Sequence, residues 1–189
     1  MPKLLEQSDP HLISAAQKGD QDAMRDIVNR YEGKVAATVI GMLGYGPEAE
    51  EVGQDVFVRF FRSIDRFRGD SALGTYLIRI AINQCLTVLQ KRKRRQIFRF
   101  FNRDDDSPEM QIPDHGLSQE QRDTQALVQR ALQSLEPDFR AVVVLRMLEG
   151  YSTKETAELL DIPSGTVLSR LARGQKKLKV LLEKLGIAA

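Results

Sequence analysis

Tryptophan is absent from the 189 residues, and aromatic residues make up only 6%. The single cysteine, Cys85, excludes an internal disulfide, and with only His11 and His115 beside it there is no ligand set for a structural zinc. Long apolar runs are missing too. The longest, Val35 to Leu43, is interrupted by Thr38 and Gly41 and is too short to span a bilayer. No charged segment precedes an apolar one at the N-terminus, so no secretory signal is expected. HExxH, Walker and GxSxG patterns are all lacking, which leaves a hydrolase or nuclease without a metal or a nucleophile. The expectation is a cytoplasmic protein without metal or cofactor that is not an enzyme and has no small-molecule substrate. Hydrophobic residues at 42% and charged residues at 29% suit a soluble chain with a buried core. The length fits one medium domain or two small ones.

What is present is a segregated charge pattern behind a net charge of +2. Residues 1–90 carry a net −2, residues 91–103 a net +7 with no acid, and residues 104–125 a net −6. Residues 126–163 return to −2, and 164–189 carry +5. Two basic clusters separated by an acidic stretch suggest two contact points on a polyanion.

Almost every periodic stretch reads as helix. Ser8-Asp9-Pro10 caps a first helix that Gly19 stops, and Asp20 caps a second bearing Met24, Ile27, Val28 and Tyr31. The turn Gly44-Tyr45-Gly46-Pro47 leads to a third helix opening with Glu48, Glu50 and Glu51, where acids complement the helix dipole. Its apolar stripe is Val52, Val56, Phe57, Phe60, Phe61 and Ile64. After Arg66-Phe67-Arg68-Gly69-Asp70-Ser71, a fourth helix carries Leu77, Ile80, Ala81 and Val88 into the basic run Lys91 to Arg95. Periodicity then fades. Residues 96–121, with Pro108, Pro113, Gly116 and three successive aspartates, read as a flexible linker. Ile97, Phe98, Phe100 and Phe101 inside it require a partner surface, either the first bundle or another protein. The expected architecture is all-α: a helical bundle over 1–95, the linker, and a second small helical domain over 122–189.

That second domain holds the most informative stretch. Leu132 and Leu135 mark one helix, Glu136-Pro137 breaks it, and Phe139, Val142, Val143 and Met147 mark the next, ended by Gly150. Ser152-Thr153-Lys154-Glu155 fits a capping box for a short helix with Ala157 and Leu160 inward. Asp161-Ile162-Pro163 makes a turn, and Ser164 caps a second helix from Gly165: a helix-turn-helix. At about 100° per residue, Val167, Leu171, Gly174, Leu178, Leu181, Leu182 and Leu185 share one sector. Thr166, Ser169, Arg170, Arg173, Lys176 and Lys177 take the opposite one. Hydroxyls near the start and cations of one sign are what a helix in the major groove needs.

These residues resemble a known family. Leu135-Glu136-Pro137-Asp138-Phe139-Arg140, Glu149-Gly150-Tyr151-Ser152 and Gly165-Thr166-Val167-Leu168-Ser169-Arg170 resemble region 4 of bacterial sigma factors. Glu50-Glu51-Val52-Gly53-Gln54-Asp55-Val56-Phe57, Phe67-Arg68-Gly69-Asp70-Ser71 and Arg79-Ile80-Ala81-Ile82-Asn83 resemble region 2. Their order and the linker length match the extracytoplasmic-function sigma factors, group 4 of the sigma-70 family.

The resemblance implies a transcription initiation factor that binds core RNA polymerase and opens promoters. It implies polymerase contacts at Glu50, Glu51, Gln54, Asp55, Phe57 and Val58 against the β′ clamp helices, with the β flap as a second polymerase partner. It implies −10 contacts at Arg66, Phe67, Arg68, Gly69, Asp70, Ser71, Tyr76 and Asn83, where a non-template base is flipped out, with Lys91 and Arg92 following phosphates. Ser164, Thr166, Ser169, Arg170, Arg173, Lys176 and Lys177 would read −35 duplex. An inhibitory anti-sigma factor, membrane-anchored or free, is the further partner. Tyr76 stands where the family usually has tryptophan, and Gly74 lies where an aromatic is usual nearby. Leu168 replaces an arginine, and rotation puts it at the edge of the apolar face. The rival reading is an activator that uses only the helix-turn-helix, with the N-terminal bundle as a regulatory or dimerisation module.

Overall fold

The computed structural model describes residues 8–102 and 119–184, with side chains described for 8–95 and 123–184. Every regular element among the described residues is helical: α1 (Asp9–Gln17), α2 (Gln21–Leu43), α3 (Pro47–Arg62), α4 (Leu73–Asn102), α5 (Gln119–Gln133), α6 (Pro137–Val143), α7 (Thr153–Leu160) and α8 (Ser164–Lys184). A 3-10 turn, Ile64–Arg66, follows α3, and a π-helical turn, Val144–Leu148, follows α6. The second helix of the C-terminal part is therefore an α-to-π composite rather than the plain helix expected from its spacing. Helix α4 runs past residue 95 to Asn102, and α5 begins at 119, so helical backbone enters both ends of the stretch read as linker. Ile97, Phe98, Phe100 and Phe101 fall outside the described side chains.

The chain ends of these helices follow local chemistry. Asp20 Oδ1 accepts from the Asp22 and Ala23 amides at 2.9 and 3.2 Å, the cap expected for α2. Ser8 stands before α1 but makes no side-chain cap bond; Pro10 in the first turn fixes the start instead. Gly44 and Gly46, at φ 82° and 143°, make the α2–α3 turn in conformations that side-chain-bearing residues rarely adopt.

The α1–α4 bundle closes over Leu12, Ile27, Val35, Val56, Phe60, Leu77 and Ile82, all essentially inaccessible. Cys85 lies in the same apolar interior, where burial pushes its thiol up to about 12 and leaves it inert. A smaller core, Leu132, Leu135 and Val143 with Val128, Leu171, Leu178 and Leu181 around it, joins α5, α6 and α8. Here α8 approaches α6 closely: a Cβ at Gly174 would lie 2.8 Å from Val143 Cγ2.

The two parts pack on each other at the C-terminus of α2. The last four carbonyls of an α-helix lack partners in their own ladder. In α2 all four are met: Ile40 O by the Gly44 amide, Gly41 O by Gln133 Nε2, Met42 O by Arg140 Nη1, and Leu43 O by Arg92 Nη1 at 3.4 Å. Two of those donors come from the C-terminal part. Arg140 also donates to Gln133 Oε1, Gln133 O and Leu135 O at 2.6–2.8 Å, so one buried cation ties α6 to α5 and to α2. Burial lowers it to about 10, and its Nε has no partner. Around this point Gly41 sits against Val144, and Lys34 Nζ lies 4.6 Å over the Tyr151 ring. Arg79 Nη2 donates to Glu158 O at 3.2 Å. Burial raises the Glu149 carboxyl above its usual range despite a hydrogen bond from Thr38.

Candidate nucleic-acid interface

The helix-turn-helix forms as its spacing predicts. Both halves of the capping box are present: Glu155 N donates to Ser152 Oγ at 3.2 Å, and Ser152 N donates to Glu155 Oε2 at 2.7 Å. These bonds hold the Glu155 carboxyl below its ordinary range. Asp161 makes the turn at φ 52°, and the Pro163 carbonyl accepts from the Thr166 and Val167 amides in the first turn of α8. Ser164 is thus the exposed first residue of α8, not its cap. The inward residues of α7 are Thr156 and Leu159, one position earlier than expected. The cause is that α7 packs on α4 as well as on α8. Ala157 and Leu160 lie half-buried on the shoulder.

Helix α8 buries Val167 and Gly174 and exposes Ser164, Gly165, Leu168, Ser169, Ala172, Arg173 and Lys176. Thr166 and Arg170 sit on its shoulder instead. Arg170 Nη2 pairs with Asp138 at 2.8 Å with its side chain 27% exposed. Lys177 binds both Glu136 oxygens at 2.6 and 2.7 Å, which lowers that carboxyl, and lies 4.8 Å over the Phe139 ring. Arg173 and Lys176 have no ion-pair partner among the described residues, so they are the cations most available to a polyanion. Leu168 is not absorbed into packing, as its place on the helical wheel suggested; it is 55% exposed.

On the N-terminal bundle, Gly69 at φ 77° lets the 66–71 loop turn, and Arg66, Arg68 and Asp70 are exposed. Phe67 does not project freely. Its ring packs edge-on to Tyr76 at 5.0 Å and to Phe60 at 6.0 Å, with Phe61 completing the cluster. Tyr76 and exposed Asn83 line a groove of about 570 Å³ with Arg59, Arg62 and Gln84, directly beside that cluster. Gly74 has no room for a side chain, because a Cβ would meet Tyr31 Cε1 at 2.9 Å. Tyr31 fills the place of the aromatic expected near residue 74, and its hydroxyl is bound by Asp9. Arg92 is not free for phosphate, since its Nε donates to Glu48 Oε2 at 2.6 Å. Lys91 is exposed.

The acidic face of α3 is more divided than its sequence suggests. Glu50, Glu51 and Gln54 are exposed, and Val58 is 44% exposed. Asp55 is engaged by Arg59 Nε at 2.5 Å and by Gln84 Nε2 at 2.7 Å. Phe57 is only 8% exposed and belongs to the core. Its accessible edge, with Glu50 and Gln54, lines an apolar groove of about 440 Å³ against α2. Arg140, Arg79 and Tyr31 stood in the expected helices and motifs, but the sequence assigned none of them its contact. Arg140 alone had a local signal, an arginine three residues after a helix-starting proline.

Comparison with known proteins now bears on this arrangement. Residues 27–95 match the model of Sigma-70 region 2, and residues 125–178 match that of Sigma-70 region 4. The chain belongs to the sigma-70 family. It is 36% identical to the extracytoplasmic-function sigma-E factor of Escherichia coli K12, over 89% of this chain and 91% of that one. It is 30% identical to the sigma-H factor of Pseudomonas aeruginosa, over 96% of this chain and 97% of that one. The solved structure of CnrH in complex with the cytosolic domain of CnrY aligns at TM-score 0.66 and 26% identity, covering 94% of this chain and 99% of that one. The protein is an extracytoplasmic-function sigma factor, a transcription initiation factor. A match to region 2 across the N-terminal bundle does not favour an activator with a merely regulatory bundle. No helix among the described residues of this sigma factor is long and apolar enough to cross a membrane.

Proposed function

We propose that this sigma factor acts in the cytoplasm, carries core RNA polymerase to promoters by reading −35 duplex with α8, and melts −10 DNA with the 66–71 loop and the Tyr76–Asn83 groove. It catalyses no chemistry itself. The observation that carries this is the solvent-facing side of α8, where Arg173 and Lys176, without an ion-pair partner among the described residues, lie on the same helix-turn-helix as exposed Ser164 and Ser169. Glu50, Glu51, Gln54 and Val58 offer the polymerase a mixed acidic and apolar edge, suited to the β′ clamp helices. The flipped −10 base stacks on the edge of the Phe60–Phe67–Tyr76 cluster, which is already ordered before DNA arrives. Stacking of order 1–3 kcal/mol per base offsets unpairing.

The −35 and −10 elements are about 25 base pairs, roughly 85 Å, apart on B-form DNA. The Arg79–Glu158 contact and the Arg140 anchor therefore part when both elements are engaged. The face this uncovers includes Val144 and Leu145, an apolar surface that needs a new cover, and the polymerase, through its β flap, supplies it. An anti-sigma factor binds the same two-part chain and blocks these surfaces; the solved complex of the similar CnrH with the cytosolic domain of CnrY, a second protein bound to such a chain, supports that reading.

The experiment is transcription of fragmented genomic DNA by core polymerase with and without this protein, mapping the new 5′ ends. New starts that share −35 and −10 elements are expected. No new starts, with no co-elution with core, would overturn the reading. Arg173→Ala is expected to weaken −35 binding by about tenfold, on the order of 1.4 kcal/mol, and Arg170→Ala less, because Asp138 already holds Arg170. Both should leave core binding intact, as co-elution would show.

A further inference from the structure

We propose that Leu168 is a base-reading residue of α8 that selects thymine in the −35 duplex by packing on its C5-methyl group. The inference rests on the reading that α8 enters the −35 major groove. The −35 residues of that reading are the serines, Thr166 and the cations; rotation put Leu168 at the edge of the apolar face. Instead it is the most exposed large apolar side chain among the described residues, on the second turn of α8. Its neighbours on that face, Gly165 and Ala172, are exposed and small, so nothing among the described residues covers its outer side.

The polar groups around it are partly committed elsewhere. The Ser169 hydroxyl donates to Thr166 O at 3.1 Å, and Arg170 is drawn aside by Asp138. The second turn of α8 thus presents an outward leucine, and Arg173 and Lys176, without an ion-pair partner among the described residues, follow in the third and fourth turns. Cations further along the helix suit the phosphates of a duplex, and few groups in its groove can meet a leucine. In the major groove the apolar feature of a base edge is the thymine methyl, and apolar side chains read it by contact. An arginine at this position would bond a guanine edge, so leucine changes the base preferred and not merely the affinity.

The test uses the whole protein with core polymerase on a promoter located by 5′-end mapping. Each −35 thymine is replaced in turn by deoxyuridine, which keeps its pairing and its O4 acceptor and loses only the methyl. At one position, binding by the unaltered protein should fall roughly fourfold, the value of one buried methyl. Leu168→Ala should bind the thymine promoter about as weakly and show no further loss with deoxyuridine. The side chain is exposed, so this variant folds, and its unchanged helical content checks that. Insensitivity of the unaltered protein to every deoxyuridine, or an equal loss in Leu168→Ala, overturns the assignment. A photo-crosslinker at Ser169 separates the two levels. Crosslinking to −35 DNA with no methyl effect sinks the Leu168 assignment alone, whereas no crosslink to −35 DNA sinks the reading beneath it.

Discussion

The interior of the α1–α4 bundle and the contact between that bundle and the C-terminal part are both buried, yet they are made of different material. Inside the bundle, Leu12, Ile27, Phe60, Leu77 and Ile82 belong to an apolar core that Ala141, Val144, Leu145, Tyr151 and Leu159 of the C-terminal part continue. At the contact, Val144, Leu145 and Tyr151 share the surface with Arg140, Gln133, Arg79 and Lys34, whose donors and charges reach across to the other part. Apolar side chains exposed by separation have no favourable new state in water. Freed helix carbonyls and guanidinium groups do, because water satisfies them. The contact can therefore be exchanged for another partner where that partner covers its apolar share, Val144 and Leu145, while water satisfies its polar groups. Arg140 marks the difference, since burial depresses its pKa to about 10 and leaves its Nε unpaired.

Ile82→Ala removes a fully buried side chain from the bundle and should cost about 2–5 kcal/mol. Urea unfolding followed by a probe in each part should show the bundle transition fall while the C-terminal one holds. Equal falls in both would mean that the contact is part of a single core. Gly174→Val acts on the smaller core, because its Cβ would meet Val143 at 2.8 Å. A loss of about 1–3 kcal/mol is expected in the C-terminal transition. Duplex −35 binding should go with it, while polymerase co-elution through α3 persists.

Gly41→Leu is aimed at the contact. Within α2 it replaces glycine by a better helix former, a gain of roughly 0.5–1 kcal/mol. Across the contact its Cβ falls 3.1 Å from Val144. The radius of gyration from small-angle scattering should rise while the bundle transition stays level or improves; a compact scattering profile would show that the contact tolerates it.

The smallest effect concerns the capping box. Ser152→Ala should cost about 1 kcal/mol in the C-terminal transition. Glu155 has its folded pKa lowered by bonds to Ser152, so its stabilisation is present above the unfolded value, about 4.3, and is lost as pH falls through the lower folded one. Glu155→Gln should flatten that acid limb, and an unchanged pH profile would show that the carboxylate contributes nothing.

How much of this was legible in the sequence depended on how far apart the partners lie in the chain. The Asp20 cap, the capping box and the Asp161 turn are local, with all atoms within a few residues, and their spacing announces them. The core face of α8 was legible in the same way, but its polar face was shifted: Thr166 and Arg170 lie on the shoulder, and Arg170 is held there by Asp138 of α6. The inward residues of α7 were misplaced by one because α4 packs on that helix too. Arg140 bonds a carbonyl 98 positions away, and Tyr31 fills the space beside Gly74, and no periodicity signals either. Phe57 stood in the apolar stripe of α3, as its burial bears out, and only the resemblance made it a polymerase contact; Arg92 read as free because Glu48 claims it only once the bundle closes.

The exchangeable contact is tested most directly by the distance between two dyes on the active protein, one at Thr87 on α4 and one at Lys179 on α8. Energy transfer should be high in the free chain and fall sharply when core polymerase and a promoter bearing both elements are added. Transfer that stays high in a complex that initiates transcription would contradict the account.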